Sequence, residues 1–259
     1  MAVSFKGIDA YRHVPLGDVG STNTECLERA RAGEAGGLWI TADRQLSGRG
    51  RRGRSWVSEP GNLYASLLLI DPAEPARLAS LPLAVAVAVH EAVRQSLPPD
   101  GADRVRVKWP NDVLIAGAKT SGILIESEIM ADGRRAVVVG CGINVGHHPG
   151  EGLYPSTCLA NEGAATSPQE LFARLFVTMA DALSVWDAGR GIAATRTDWM
   201  ARAAGIGGEV TVRLPDREIH GLFESVDPEG RMVLRDETGR RQTIAAGDVF
   251  YPSLAPIVP

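Results

Sequence analysis

Four residues, Gly205-Ile206-Gly207-Gly208, divide the chain into two kinds of pattern. Beyond them, Glu209 to Leu214, Glu218 to Val226, Arg231 to Arg235 and Arg241 to Ile244 read as short strands. They are separated by Pro215-Asp216, Asp227-Pro228-Glu229-Gly230 and Glu237-Thr238-Gly239, which is turn chemistry. Evenly spaced strands with tight turns make a small β-barrel or sandwich. Before the glycines, helical and strand periodicities mix. The chain is therefore expected to hold an α+β part, residues 1–205, and a small all-β part, residues 206–259.

In the first part, Thr22-Asn23-Thr24-Glu25 has the spacing of a capping box and predicts a helix from Asn23 to Ala32. Leu38 to Ala42 and Leu63 to Ile70 read as strands, and Asp43 to Ser58 as a long loop. Glu74 to Leu97 contains alternating alanine and valine, which suits a strand. Its length, its alanines and the terminating Pro98-Pro99 favour a core helix instead. Val105 to Trp109, Val113 to Ile115, Ser121 to Met130 and Ala136 to Val145 read as further strands. Ser167-Pro168-Gln169-Glu170 is a second capping box, opening a helix through Trp186, and a short helix surrounds Trp199.

Net charge is -4, so nothing global marks a nucleic-acid or membrane binder, and any basic site must be local. The longest apolar run, Leu78 to Val89, is interrupted by Ser80 and Pro82 and falls short of the roughly 20 residues a bilayer needs. Met1 to Gly7 lacks an apolar signal core. Cys26, Cys141 and Cys158 are odd in number and lack CxxC spacing, which suits a reducing, cytoplasmic compartment.

Four segments carry chemistry. Gly48 to Trp56 sets Arg49, Arg51, Arg52 and Arg54 among glycines: planar guanidinium forks match phosphate and carboxylate oxygens, and glycine permits close backbone approach. Lys108-Trp109-Pro110-Asn111-Asp112 offers an amide and a carboxylate at a turn, although both residues are ordinary there. Lys119 to Glu126 puts a point charge at the mouth of an apolar strand, with Gly122 leaving room for a ligand. In Val137 to Val145, Gly140 and Gly142 interrupt a buried strand. A strand-like Ile-Asn-Val follows them rather than a helix, which excludes a dinucleotide fingerprint. His147-His148 reads as a solvated turn with no third metal ligand nearby.

Together these segments resemble the biotin protein ligase family, in its order and approximate spacing, over about Ser21 to Val145. Ser21-Thr22-Asn23 and Gln45 also match. Thr120 and Cys141 depart from the pattern without altering a charged position. The resemblance implies a class II aminoacyl-tRNA synthetase-like sheet flanked by helices, mixed but largely antiparallel, and a small SH3-like C-terminal barrel. It implies activation of biotin by Mg-ATP to biotinyl-5'-AMP and transfer to a lysine of a biotin carboxyl carrier protein.

By the same resemblance, Lys119 and Arg51 are the catalytic candidates. Ser21, Thr22, Asn23, Gln45, Arg49, Gly50, Arg51, Lys119, Gly122 and Gly140 would bind biotin. Arg49, Arg51, Arg54, Trp56, Asn111, Asp112, Lys119 and Asn144 would bind ATP or the adenylate, with Trp56 on adenine. No metal ligand set is assigned. About 20 residues precede Ser21, too few for the DNA-binding domain of bifunctional relatives, so the expectation is a monofunctional ligase without DNA or membrane partners. The oligomeric state stays open, a homodimer included.

Two rivals stand beside this reading. Lipoate or octanoate ligation shares the chemistry and differs in the acid accepted. An arginine-glycine nucleic-acid binder predicts salt-dependent binding and gives Lys119 no task. Four like charges within six residues also predict an arginine loop that is mobile until an anion binds.

Overall fold

The computed structural model describes residues 7–150 and 155–251; the N-terminal reading on Met1 to Lys6 lies outside them. The first part runs β1 (Arg12–Val19), α1 (Thr22–Arg31), β2 (Leu38–Gln45), β3 (Leu63–Ile70), α2 (Leu81–Ser96), α3 (Pro99–Ala102) and β4 (Val105–Lys108). It continues with β5 (Asp112–Ile115), β6 (Ala118–Ile129), β7 (Arg135–Ile143), α4 (Pro168–Trp186) and α5 (Ile192–Arg202). Its strands form one sheet in the order β1-β2-β3-β7-β6-β5-β4. Only β1 and β2 pair in parallel; every other ladder is antiparallel. Then come β8 (Glu209–Arg213), β9 (Glu218–Val226), β10 (Met232–Arg235), β11 (Arg241–Ile244) and β12 (Asp248–Phe250), an antiparallel sheet ordered β11-β10-β9-β8-β12. The α+β expectation holds.

Alternation along the central strands sorts side chains onto two faces. Leu63, Ala65, Leu67 and Leu69 of β3, with Val137, Val139, Cys141 and Ile143 of β7, join the main core with α2 and α4. Their even-numbered neighbours face the other way. There Leu68, Ile70, Ala136 and Val138 meet Cys26 and Ala30 of α1. The helix body of α1 covers one end of that face. At the other end, which carries Tyr64, Ser66, Gly140 and Gly142, only the first residues of α1 reach the sheet, with Asn23 over Gly140 and bonded to Ser66.

The alanine-valine stretch is helical, as its length predicts, because it is enclosed nearly all round: Ala84, Val85, Ala86, Ala88 and Val89 are all buried. It starts later than expected, after a 3₁₀ segment, Pro75–Ser80. The helical stretch Pro75–Ser96 is long and apolar enough to cross a membrane by length and composition, but it is mostly packed in this chain's own core. The second capping box is present: Ser167 Oγ accepts from the Glu170 amide, and the Glu170 carboxylate accepts from the Ser167 amide.

Two strands escape the sequence reading. β1 holds Pro15 and Gly17, which weaken a strand signal, and it survives as a sheet edge where a missing donor is tolerated. β12 is only three residues long. The first capping box is also corrected. Ser21 is the N-cap and makes no side-chain cap bond, while the Thr22 amide and hydroxyl both turn to Gln45 Oε1, at 2.9 and 3.1 Å. A tertiary acceptor replaces the local one.

Ser167→Ala is expected to lower unfolding free energy by about 1 kcal/mol through loss of the reciprocal cap. Urea titration checks this, as a lower midpoint at unchanged m-value.

Candidate active site

The floor of the open face is a row across five strands. Cross-strand register aligns Tyr64 with Gly142, Gly142 with Gly122, Gly122 with Asp112, and Asp112 with Lys108. Two glycines in the middle leave a trough, and what fills it is specific. A methyl group on Gly142 would come within 2.6 Å of the Trp56 indole, and one on Gly122 within 3.0 Å. Gly140, one row along, is covered by the Asn23 amide, which a methyl there would strike. Gly140 thus makes room for Asn23 in this structure, where the resemblance had it contact biotin directly.

Lys119 lies within β6, not ahead of it. It is three residues from Gly122, so strict alternation would place the two on opposite faces. Register with β5 slips between Val113 and Leu114, leaving Thr120 as an extra, buried residue on β6. That bulge brings Lys119 onto the cavity side with Gly122. The ammonium lies 2.7 Å from Asp112 Oδ1 and 5.5 Å from the centre of the Trp56 ring. No well-angled hydrogen bond reaches Asp112 Oδ1, so the contact is an electrostatic pairing.

Lys108 is buried, and that burial pulls its ammonium down to about 8; Asp112 opposes the shift and Lys119 adds to it. Nothing local in the Lys108 to Asp112 turn motif reveals that Lys108 points inward. The Trp109–Pro110 peptide is cis.

The arginine loop has a ladder of its own. Gln45 N donates to Ser58 O, Trp56 N to Gly48 O, and Gly50 N to Arg54 O, with Arg52 and Gly53 at positive φ in the tip. Each guanidinium reaches a protein acceptor. Arg49 bonds Glu126 at 2.9 Å and the Thr24 hydroxyl at 3.0 Å, and Arg51 bonds Asn111 Oδ1 at 2.7 Å. Arg52 and Arg54 both bond Asp248 of β12, at 3.0 and 2.7 Å. Burial draws the Arg51 guanidinium below its usual range, against the pull of Asp112. Burial alone would raise Asp248, but the Arg54 hydrogen bond and the charges of Arg54, Arg52 and Arg51 hold it low. The expectation of a mobile loop did not count these partners, which the fold sets against each guanidinium.

The amides are engaged as well. Asn23 donates to Glu126 at 2.7 Å and accepts from Ser66 Oγ at 2.6 Å, and Gln45 Nε2 donates to Ser58 Oγ at 3.0 Å. Asn111 also donates to Ile123 O, so it ties Arg51 to β6. Asn144 donates to Thr157 O from a buried position. His147 packs on Asn62 and Pro60, in line with a structural turn.

All fifteen site residues expected from the sequence line one cavity of about 420 Å³, among them Ser21, Asn23, Gln45, Arg51, Lys119 and Asn144. It is ringed by Arg49, Arg51, Arg52, Arg54, Lys108 and Lys119, against Asp112 and Asp248. The excess of positive charge in a chain of net charge -4 makes it a local anion site. Sequence reasoning missed Asp248, Lys108, Ser66 and Glu126. Asp248 comes from the small sheet, docked by Trp109 Nε1 on Gly230 O at 2.9 Å and by Trp199 against Phe223.

Residues 19–144 match the Biotin/lipoate A/B protein ligase family, and residues 205–251 match the Biotin protein ligase C terminal domain. The biotin–[acetyl-CoA-carboxylase] ligase of Paracoccus denitrificans is 38% identical over 240 residues, covering 89% of this chain and 97% of that one. Its namesake from Mycobacterium tuberculosis is 33% identical, covering 91% and 87%. Among solved structures, the biotin protein ligase of Aquifex aeolicus in complex with biotin and ATP superposes with a TM-score of 0.76 at 27% identity, covering 93% of this chain and 99% of that one.

Lys108 gives a pH signature. Its ammonium titrates near 8 in the folded chain and at 10.5 when exposed, so between those values the unfolded chain binds more protons and stability rises with pH. Relative to Lys108→Met, the wild type is expected to gain about 3 kcal/mol across that window. Denaturant titrations at pH 7 and 10 check it, and a constant difference refutes it.

Proposed function

The chain belongs to the biotin/lipoate A/B protein ligase family, and from that premise we propose that it joins biotin to ATP as biotinyl-5'-AMP and passes biotin to a lysine of a biotin carboxyl carrier protein. It is an enzyme of the biotin ligase class. The observation that carries the reading for this chain is convergence: one ammonium, Lys119, stands at the end of a glycine-floored trough, beside a loop of guanidiniums.

A carboxylate resists attack because its resonance would be lost. Joining it to AMP supplies a leaving group. In the first step a biotin carboxylate oxygen attacks the α-phosphorus of ATP in line and pyrophosphate departs. Two anions must approach, so fixed positive charge in a partly dry cavity lowers the barrier. Lys119 is assigned between the carboxylate and the α-phosphate, with Asp112 aiming its ammonium. Arg49, Arg51 and Arg54 are assigned to phosphate, and Asn111 positions Arg51. Trp56 is placed on the adenine side. In the second step the carrier lysine, as a neutral amine, attacks the acyl carbon and AMP leaves.

The ureido head is assigned to Ser21, Thr22, Asn23 and Gln45. Support comes from their fixed orientation: Thr22 and Gln45 hold each other, and Glu126 and Ser66 hold Asn23. Gly50 and Gly122 are assigned close backbone approach, Gly140 makes room for Asn23, and Asn144 braces the wall.

The donors present do not form a cage for Mg²⁺, which prefers several oxygens. Asp112 and Asp248, the carboxylates lining the cavity, are each paired with cations, and no cluster of three candidate ligands exists among the described residues. The metal accordingly arrives as the ATP complex, where it would offset phosphate charge. Residues 1–205 are proposed as the catalytic part and 206–259 as the small β part, with the cavity drawing on both. Three buried, unpaired cysteines support a cytoplasmic setting.

The decisive test incubates a biotin carrier domain with this protein, biotin and Mg-ATP, and weighs the product. One added biotinyl group is expected, with lipoate and octanoate inert. Lys119→Ala is expected to cut biotin-dependent ATP–pyrophosphate exchange at least about 100-fold; near-normal exchange would remove Lys119 from its assigned role.

A further inference from the structure

The Asp248 carboxylate belongs to the small sheet yet sits inside the arginine loop, about 195 residues away along the chain. Its side chain is 17% exposed, and one oxygen, Oδ2, accepts from both Arg52 and Arg54. Arg51 and Lys108 act on it through space. Four cations therefore surround one carboxylate, in the concavity where the proposed reaction puts the polyphosphate of ATP.

The same forks cannot serve both anions at once. A polyphosphate offers more charge and more acceptor oxygens than a single carboxylate, so it wins the exchange when present. The element that carries Asp248 is suited to give way. β12 has three residues, lies at the edge of its sheet and, among the described residues, pairs only with β8.

Resting on the ligase reading, we propose that Asp248 is a resident counter-anion that occupies the phosphate position in the empty enzyme, is displaced by ATP, and returns to help expel pyrophosphate. Three consequences follow. The empty loop stays docked despite its like charges. Nucleotide binding exchanges one anion for another, and so affinity is held below what the arginines alone would give. Occupancy is also reported to the small sheet through the release of β12.

The probes are inorganic pyrophosphate and tripolyphosphate, titrated calorimetrically into the whole protein without biotin. Asp248→Asn removes the charge and keeps the shape. Its affinity for both probes is expected to rise roughly tenfold, because a competing anion is gone; equal or weaker binding overturns the proposal. A second measurement needs no variant. In the wild type, backbone hydrogen exchange across Asp248–Phe250 is expected to quicken on saturation with pyrophosphate, and unchanged or slower exchange also overturns it. Biotin-dependent exchange by the wild type keeps the two ideas apart. An active enzyme whose Asp248→Asn variant binds pyrophosphate no better loses only the counter-anion.

Discussion

Like charges a few ångströms apart repel by several kcal/mol per pair where water is scarce, and this cavity gathers four guanidiniums and two ammoniums. The rest of the site is organised around holding them there. Glu126 takes Arg49, Asn111 takes Arg51, Asp248 takes Arg52 and Arg54, and Asp112 faces Lys119 and Lys108. Each partner comes from a different strand or turn. The sheet thereby fixes the geometry of a charge cluster that a flexible loop could not hold alone. The cations still outnumber the carboxylates lining the cavity, which gives it a positive character suited to anions.

Shape is handled separately from charge. The trough exists because Gly122 and Gly142 pair directly across β6 and β7, and because a one-residue bulge turns Lys119 toward them. A flat, regular ladder with the same side chains would send Lys119 into the opposite face. Backbone irregularity thus decides which face of the sheet Lys119 joins. Trp56 lies over both glycines and closes the trough, with its indole nitrogen unpartnered. The second sheet is part of the site, since Gly247, Asp248 and Val249 line the cavity with the arginine loop.

Much of this was legible in the chain. The apolar runs of β3 and β7, the long α2 and the Ser167 cap follow from local pattern, because each has a period or a residue chemistry that survives in isolation. The candidate site residues were named through the family resemblance, and the fold brings all of them to one cavity. Less was readable where a local rule met a distant partner. Thr22 has the chemistry of a cap, but Gln45 claims it. β1 breaks strand rules with Pro15 and is rescued by pairing with β2 on one side only.

The sequence by itself determined the two-part layout, the strands that alternate, and the set of cations and glycines that gather at one site. Only the tertiary structure decided which way Lys119 faces, what fills the space above Gly140, and that Asp248 answers Arg52 and Arg54 from the far end of the chain. The division has a physical cause. Propensity and periodicity act between neighbours, and composition records which charges are present. Bulge register, cross-strand rows and ion pairs depend on where separate segments meet, which no local stretch encodes.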